Sequence, residues 1–173
     1  MHRLGSSRFP YRIAAIAVAY ALTMPTPLSA RVSLGIYDGW GAFREETTPR
    51  CYAISEPVVR ARGRQWKPYA SVGYWPGKNV RAQLYFRLSR EKRTDANATL
   101  SIGNQKFALV SGGINAWAAD PRMDAAIIAA MRSATSMSIS VQARNGGFVT
   151  DVYRLRGAAS AIDAAALACA GAV

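Results

Sequence analysis

The first thirty residues constrain this chain most, because they set the chemistry in which the rest must fold. Arg3, Arg8 and Arg12 give a basic start without an acid, and Ile13 to Met24 is an apolar run. Pro25-Thr26-Pro27 ends that run ahead of Leu28-Ser29-Ala30. Basic, apolar and small-residue segments in this order make a secretory signal peptide. The run is shorter than the about 20 residues a spanning helix needs, and no cysteine follows it to carry a lipid. The expectation is cleavage after Ala30 and one mature domain over residues 31–173. That domain has no transmembrane span and resides in the periplasm or is secreted.

Export gives meaning to the two cysteines, Cys51 and Cys169. An oxidising compartment joins an even cysteine count into disulfides, so a Cys51–Cys169 bond is expected, tying a last helix to an early strand. Export also removes His2, the only histidine in the chain. Without imidazole the mature domain lacks the side chain whose unperturbed pKa suits proton transfer near neutrality. Serine–histidine and cysteine–histidine catalysis are excluded, as are the usual zinc sites. No catalytic residue, metal or cofactor is assigned.

The full chain has 22 Lys and Arg against 10 Asp and Glu; three arginines and no acid leave with the leader, so 19 against 10 remain, a balance of +9. Many of these cations alternate with rings in one stretch. Arg60, Arg62, Arg64, Trp66, Lys67, Lys78, Arg81 and Arg87 lie among Tyr69, Trp75 and Tyr85. Such a surface suits phosphates, lipid headgroups or acidic glycans. Nucleic acid is not expected, since no nucleic-acid fold signature accompanies the charge. Alternation has a plainer reading too, with rings in the core and cations in water.

Periodicity points to short strands. Val80 to Leu88 places Val80, Ala82, Leu84, Phe86 and Leu88 on one face, with Arg81, Gln83, Tyr85 and Arg87 on the other. Cys51 to Ile54, Tyr69 to Trp75, Thr99 to Ile102, Lys106 to Val110, Thr135 to Val141 and Phe148 to Leu155 also read as strands. Gly103-Asn104 suits a tight hairpin. Ser33 to Arg44, rich in glycine, reads as turns or bulges. Asp120 as cap, Pro121 in the first turn and Asp124 near the dipole mark a helix over 120–133. An alanine-rich helix is expected over 158–170. The fold class is mainly β, an antiparallel β-sandwich or small barrel with two late helices.

The second half resembles the invasion-associated locus B family of exported alphaproteobacterial proteins. The residues concerned are the acid-led helix from Asp124 to Met131, the strand Ser136 to Val141, and Leu155-Arg156-Gly157 leading into Ala158 to Ile162. Trp40, Cys51 and the Val80 to Leu88 strand extend the likeness into the first half. The family often has a further cysteine pair before the acid-led helix, where this chain reads Asn115-Ala116-Trp117-Ala118-Ala119. The resemblance implies an envelope or secreted β-rich protein, associated in some pathogens with entry into red cells, and carries no catalytic residues with it. The expected function is a non-catalytic binding protein whose partner is an anionic lipid or glycan, or another protein. The alternatives are a hydrolase using carboxylates or a Ser/Lys pair, and a periplasmic enzyme inhibitor.

Overall fold

The computed structural model describes residues 31–58 and 66–170; residues 1–30, read above as a signal peptide, and Arg60, Arg62 and Arg64 lie outside the described residues. The chain runs β1 (Arg31–Tyr37), β2 (Trp40–Glu45), β3 (Arg50–Ser55), β4 (Tyr69–Trp75), a 3-10 turn (Pro76–Lys78), β5 (Val80–Arg87), β6 (Ala98–Ile102), β7 (Gln105–Gly112) and β8 (Asn115–Trp117). It continues with α1 (Pro121–Ser133), β9 (Ser136–Gln142), β10 (Phe148–Arg154) and α2 (Ala158–Ala170). No helix among the described residues is long and apolar enough to cross a membrane.

The strands form one ten-stranded sheet in the order β1-β2-β3-β4-β5-β8-β7-β6-β9-β10, and neighbours run antiparallel. The sheet rolls onto itself. β5 and β10 are separated in it by four strands, yet Phe86 and Tyr153 meet edge to face with ring centroids 5.8 Å apart. The Val58 N–H, just beyond β3, donates to the Val152 carbonyl of β10 at 2.8 Å. β1 and β10 remain the two ends of the sheet, so the roll is not a closed barrel. The mainly-β class and both late helices are as the sequence leads one to expect.

Alternation explains the core. On β5, Leu84 and Phe86 are fully buried while Arg81 and Gln83 are exposed. On β9, Met137, Ile139 and Val141 face inward. α2 packs across β1 to β4, on the face where Trp40, Ala42, Ala53 and Val72 are fully buried. Cys51 of β3 and Cys169 of α2 are bonded there, 118 positions apart, beside the buried Ala165.

α1 begins as its sequence dictates. The Asp120 side chain accepts from the Met123 N–H at 2.8 Å, with Pro121 in the first turn. Asp124 lies in the first turn as expected, and it is also buried. It is 8% exposed, and its Oδ1 accepts from the Leu84 N–H of β5 at 2.8 Å. Burial pushes its carboxyl above the usual range. The Leu84 amide would otherwise be an unsatisfied donor, and that requirement outweighs the cost of burying the acid.

Ser33 to Arg44 forms a hairpin in which the expected turn and bulge both occur. β1 and β2 pair around Asp38-Gly39, with a register shift between Ser33 and Gly35. The hairpin is anchored to the far end of the chain. Trp40 Nε1 donates to the Arg154 carbonyl at 2.8 Å, and Arg156 lies 3.3 Å from Asp38. At Gly157, where φ is +82°, an added Cβ would stand 2.0 Å from the Tyr37 carbonyl oxygen. Only glycine lets these two segments approach so closely.

On the other face of β2 and β3, Arg50 grips Glu45 with two bonds of 2.9 Å, and Arg31 adds a contact at 3.5 Å. The Arg50 bond, helped by the charges of Arg50 and Arg31, holds the Glu45 carboxyl below its usual range. The folded-state pKa therefore lies below the unfolded one. The resulting stability is present above the ordinary glutamate value and is lost as pH falls through the lowered one. Glu45→Gln should cost about 1 kcal/mol at neutral pH and nothing at pH well below the carboxylate range. Urea midpoints measured against pH would show the two curves converging; parallel curves would remove Glu45 from the acid response.

Candidate functional site

The outer face of β4, β5 and β8 holds Tyr69, Trp75, Tyr85 and Arg87 from the stretch singled out above. In register across β4 and β5, Tyr69 stands opposite Arg87, Ser71 opposite Tyr85, and Gly73 opposite Gln83. Across β5 and β8, Tyr85 stands opposite Trp117 and Arg87 opposite Asn115. Arg87 thus sits between Tyr69 on one strand and Asn115 on the other. The Tyr69 and Tyr85 rings are tilted with centroids 5.7 Å apart, and the Tyr85 hydroxyl donates to Asn115 Oδ1. Burial pushes the Tyr85 phenol above its usual range, so it stays a protonated donor. The Trp75 indole lies against Gly73, where a Cβ would come within 2.5 Å of the ring. These rings share the cations' side of the sheet and are not in the core, which corrects the plainer reading of the alternation.

Ion pairs engage many of the molecule's arginines. Arg31 and Arg50 contact Glu45, Arg44 contacts Glu46, Arg93 contacts Asp95, Arg132 contacts Asp163, Arg144 contacts Glu91 and Arg156 contacts Asp38. Lys67, Lys78, Arg81 and Arg87 make no ion pair among the described residues. Their charge is not cancelled locally and is available to an incoming anion.

The structure divides the expected patch. Arg87 lies on the outer face itself, whereas Arg81 is exposed beyond a slip in register that puts Val80 opposite Trp75. Lys67 precedes β4 and Lys78 follows it, which puts about 20 Å of strand between them. Trp66 belongs elsewhere: its Nε1 donates to the Leu88 carbonyl at 2.6 Å, and it lines a recess of about 280 Å³ with Ser89, Arg90, Glu91 and Arg144. Beside that recess, Lys92 Nζ donates to the Arg93 and Thr94 carbonyls at 2.9 and 3.0 Å. The Ser89 hydroxyl is buried without a hydrogen-bond partner among the described residues. The lysine is thus engaged by carbonyls, an arrangement that does not activate the serine as a nucleophile.

A larger cavity, about 600 Å³, opens at the other end of the outer face. Asn79, Arg81, Gln83, Trp117, Asp120 and Asp124 contribute to its wall. A bulge shapes it. Between Gly73–Gln83 and Trp75–Val80 the register slips, and Ala82 takes a left-handed φ of 57°. Such a bulge bends the strand and re-aims its side chains.

No family model, curated protein or solved structure matches this chain. The site is therefore read from its own geometry. Trp117 was absent from the residues that sequence reasoning assigned to a site, because β8 has only three residues and shows no alternation. An aromatic between two alanines just ahead of a helix cap is the one signal it gives.

Proposed function

We propose that this chain is an exported envelope protein, of the kind the locus B resemblance implies, that binds acidic glycan through the outer face of β4, β5 and β8. One observation carries the reading. Arg87 makes no ion pair among the described residues and shares a face with Tyr69, Tyr85 and Trp75, while Lys67 ahead of β4 and the exposed Arg81 beyond the bulge are likewise without an ion pair. Sulfate, phosphate or carboxylate groups would meet the guanidinium and ammonium groups, and the rings would cover the apolar parts of the polymer. Arg87, held between Tyr69 and Asn115, presents a fork that suits bidentate contact with an oxyanion. No step of catalysis is assigned to this surface.

The test uses dextran sulfate as an anionic glycan probe and the mature oxidised protein. Binding should weaken as salt rises. Arg81→Glu with Arg87→Glu should reduce affinity about tenfold or more at low salt, since close charge pairs across interfaces couple by at least about 1.5 kcal/mol. Lys106→Glu, on β7, should change it little. Equal losses from both variants would reduce the effect to net charge and remove the face. Amino-terminal sequencing of envelope material should begin at Arg31; intact Met1 on cytoplasmic protein would end the export reading.

A further inference from the structure

The cavity beside Trp117 differs in charge from the basic face next to it. Its wall holds the acids Asp120 and Asp124 as well as Arg81, so it carries both signs of charge. It also offers one apolar platform and several unsatisfied polar groups. Trp117 is 37% exposed and lies beside Val110 of β7, its partner in register. Asn79 and Gln83 are exposed, and their side-chain amides make no hydrogen bond among the described residues. Asp124 is nine-tenths buried. Its Oδ1 is taken by Leu84, and its second oxygen has no partner among the described residues, in a side chain that lines the cavity.

The volume is that of a small-molecule pocket, for which about 300 to 1,000 Å³ is usual. An aromatic plate with two amides and a carboxylate around it matches one ligand chemistry best. A pyranose ring has an apolar C–H face and a girdle of hydroxyls that both donate and accept. Amides supply a donor and an acceptor each, and a carboxylate oxygen accepts. A flat apolar ligand would leave these groups desolvated and unpaired, at a cost of about 1–3 kcal/mol each.

We propose that the cleft between the β5 bulge, β8 and the start of α1 is a saccharide subsite that seats one uncharged sugar residue. Its C–H face rests on Trp117, and its hydroxyls bond to Asn79, Gln83 and the free oxygen of Asp124. This deepens the reading above, on which it rests for the glycan class. The adjoining face would take the acidic groups of the polymer, and the cleft a neutral ring.

Incorporating 5-fluorotryptophan gives four fluorine signals for the four tryptophans, assigned by single Trp→Phe substitutions. Titration with maltotriose, cellotriose and the β-linked N-acetylglucosamine trimer should move the Trp117 signal with at least one of them, equally in low and high salt. Gln83→Ala and Asn79→Gly should each weaken that sugar about fivefold, the worth of one hydrogen bond. Asn79→Gly suits the left-handed φ of 51° at that position, so its fold is kept. Asp124→Asn retains an acceptor for Leu84 and changes the group offered to the sugar. A Trp117 signal unmoved by all three sugars would overturn the subsite. So would shifts that survive both amide substitutions. Failure of dextran sulfate to bind would overturn the basic face instead, and the two results are read separately.

Discussion

Replacing Cys51 and Cys169 together by alanine is expected to lower the melting temperature by about 10–20 °C. The bond closes a loop of 118 positions, and in the chain-entropy description a loop of that length is worth about 4–5 kcal/mol. For a domain of this size each kcal/mol moves the midpoint by a few degrees. The location adds to the effect. Cys51 is fully buried, Cys169 nearly so, and Ala165 and Tyr74 pack on them, so alanine also leaves space that the neighbours fill only in part. The bond joins α2 to β3, and α2 in turn covers the inner faces of β1 to β4. Calorimetry of the oxidised protein, the reduced protein and the double variant checks this. Matching midpoints for all three would show that packing alone holds α2 in place.

Gly157→Ala is the single substitution expected to do most harm, at about 2–4 kcal/mol. Two costs combine. The φ of +82° is strained for any residue with a Cβ, and that Cβ would stand 2.0 Å from the Tyr37 carbonyl oxygen. Backbone must move, and it is backbone on which Trp40 and the Asp38–Arg156 contact depend. Two other glycines separate the terms. Gly103 has a φ of +54° in open space and Gly77 has open space without a left-handed φ. Gly103→Ala should cost about 1 kcal/mol for strain alone, and Gly77→Ala about nothing. Denaturant midpoints of the three variants should fall in that order; equal values for Gly157 and Gly103 would show that the hairpin yields without cost.

Local patterning made much of this fold readable. The two-residue period of β9, and of β5 from Gln83 onward, needs only the neighbours along the strand, and the Asp120 cap is complete within four residues. Whatever depends on distant partners was not readable. Glycine in Ser33 to Arg44 looks like a turn former, yet Gly41 lies inside β2, where a Cβ would come within 2.6 Å of the Phe43 ring. Asp124 reads only as an acid near the helix dipole, because nothing nearby announces the Leu84 amide forty residues away. In the candidate site, alternation places Tyr85 and Arg87 on one face, but the bulge at Ala82 breaks the period before it reaches Arg81. The sequence cannot show that Lys67 and Lys78 sit at opposite ends of β4, or that Trp66 turns toward the Leu88 carbonyl. Nor can it show that Trp117 arrives from another strand to complete a cleft.

The placement of the sulfur bridge governs the order of events during synthesis. Cys169 follows all ten strands along the chain, so a ribosome must deliver the whole sheet before Cys51 can meet its mate. Until then Cys51 waits as a lone thiol, open to mispairing with any other protein's cysteine. Oxidation therefore comes last, as a latch set on a nearly assembled body, and a pulse of thiol-blocking reagent given before α2 emerges would leave that latch open for good.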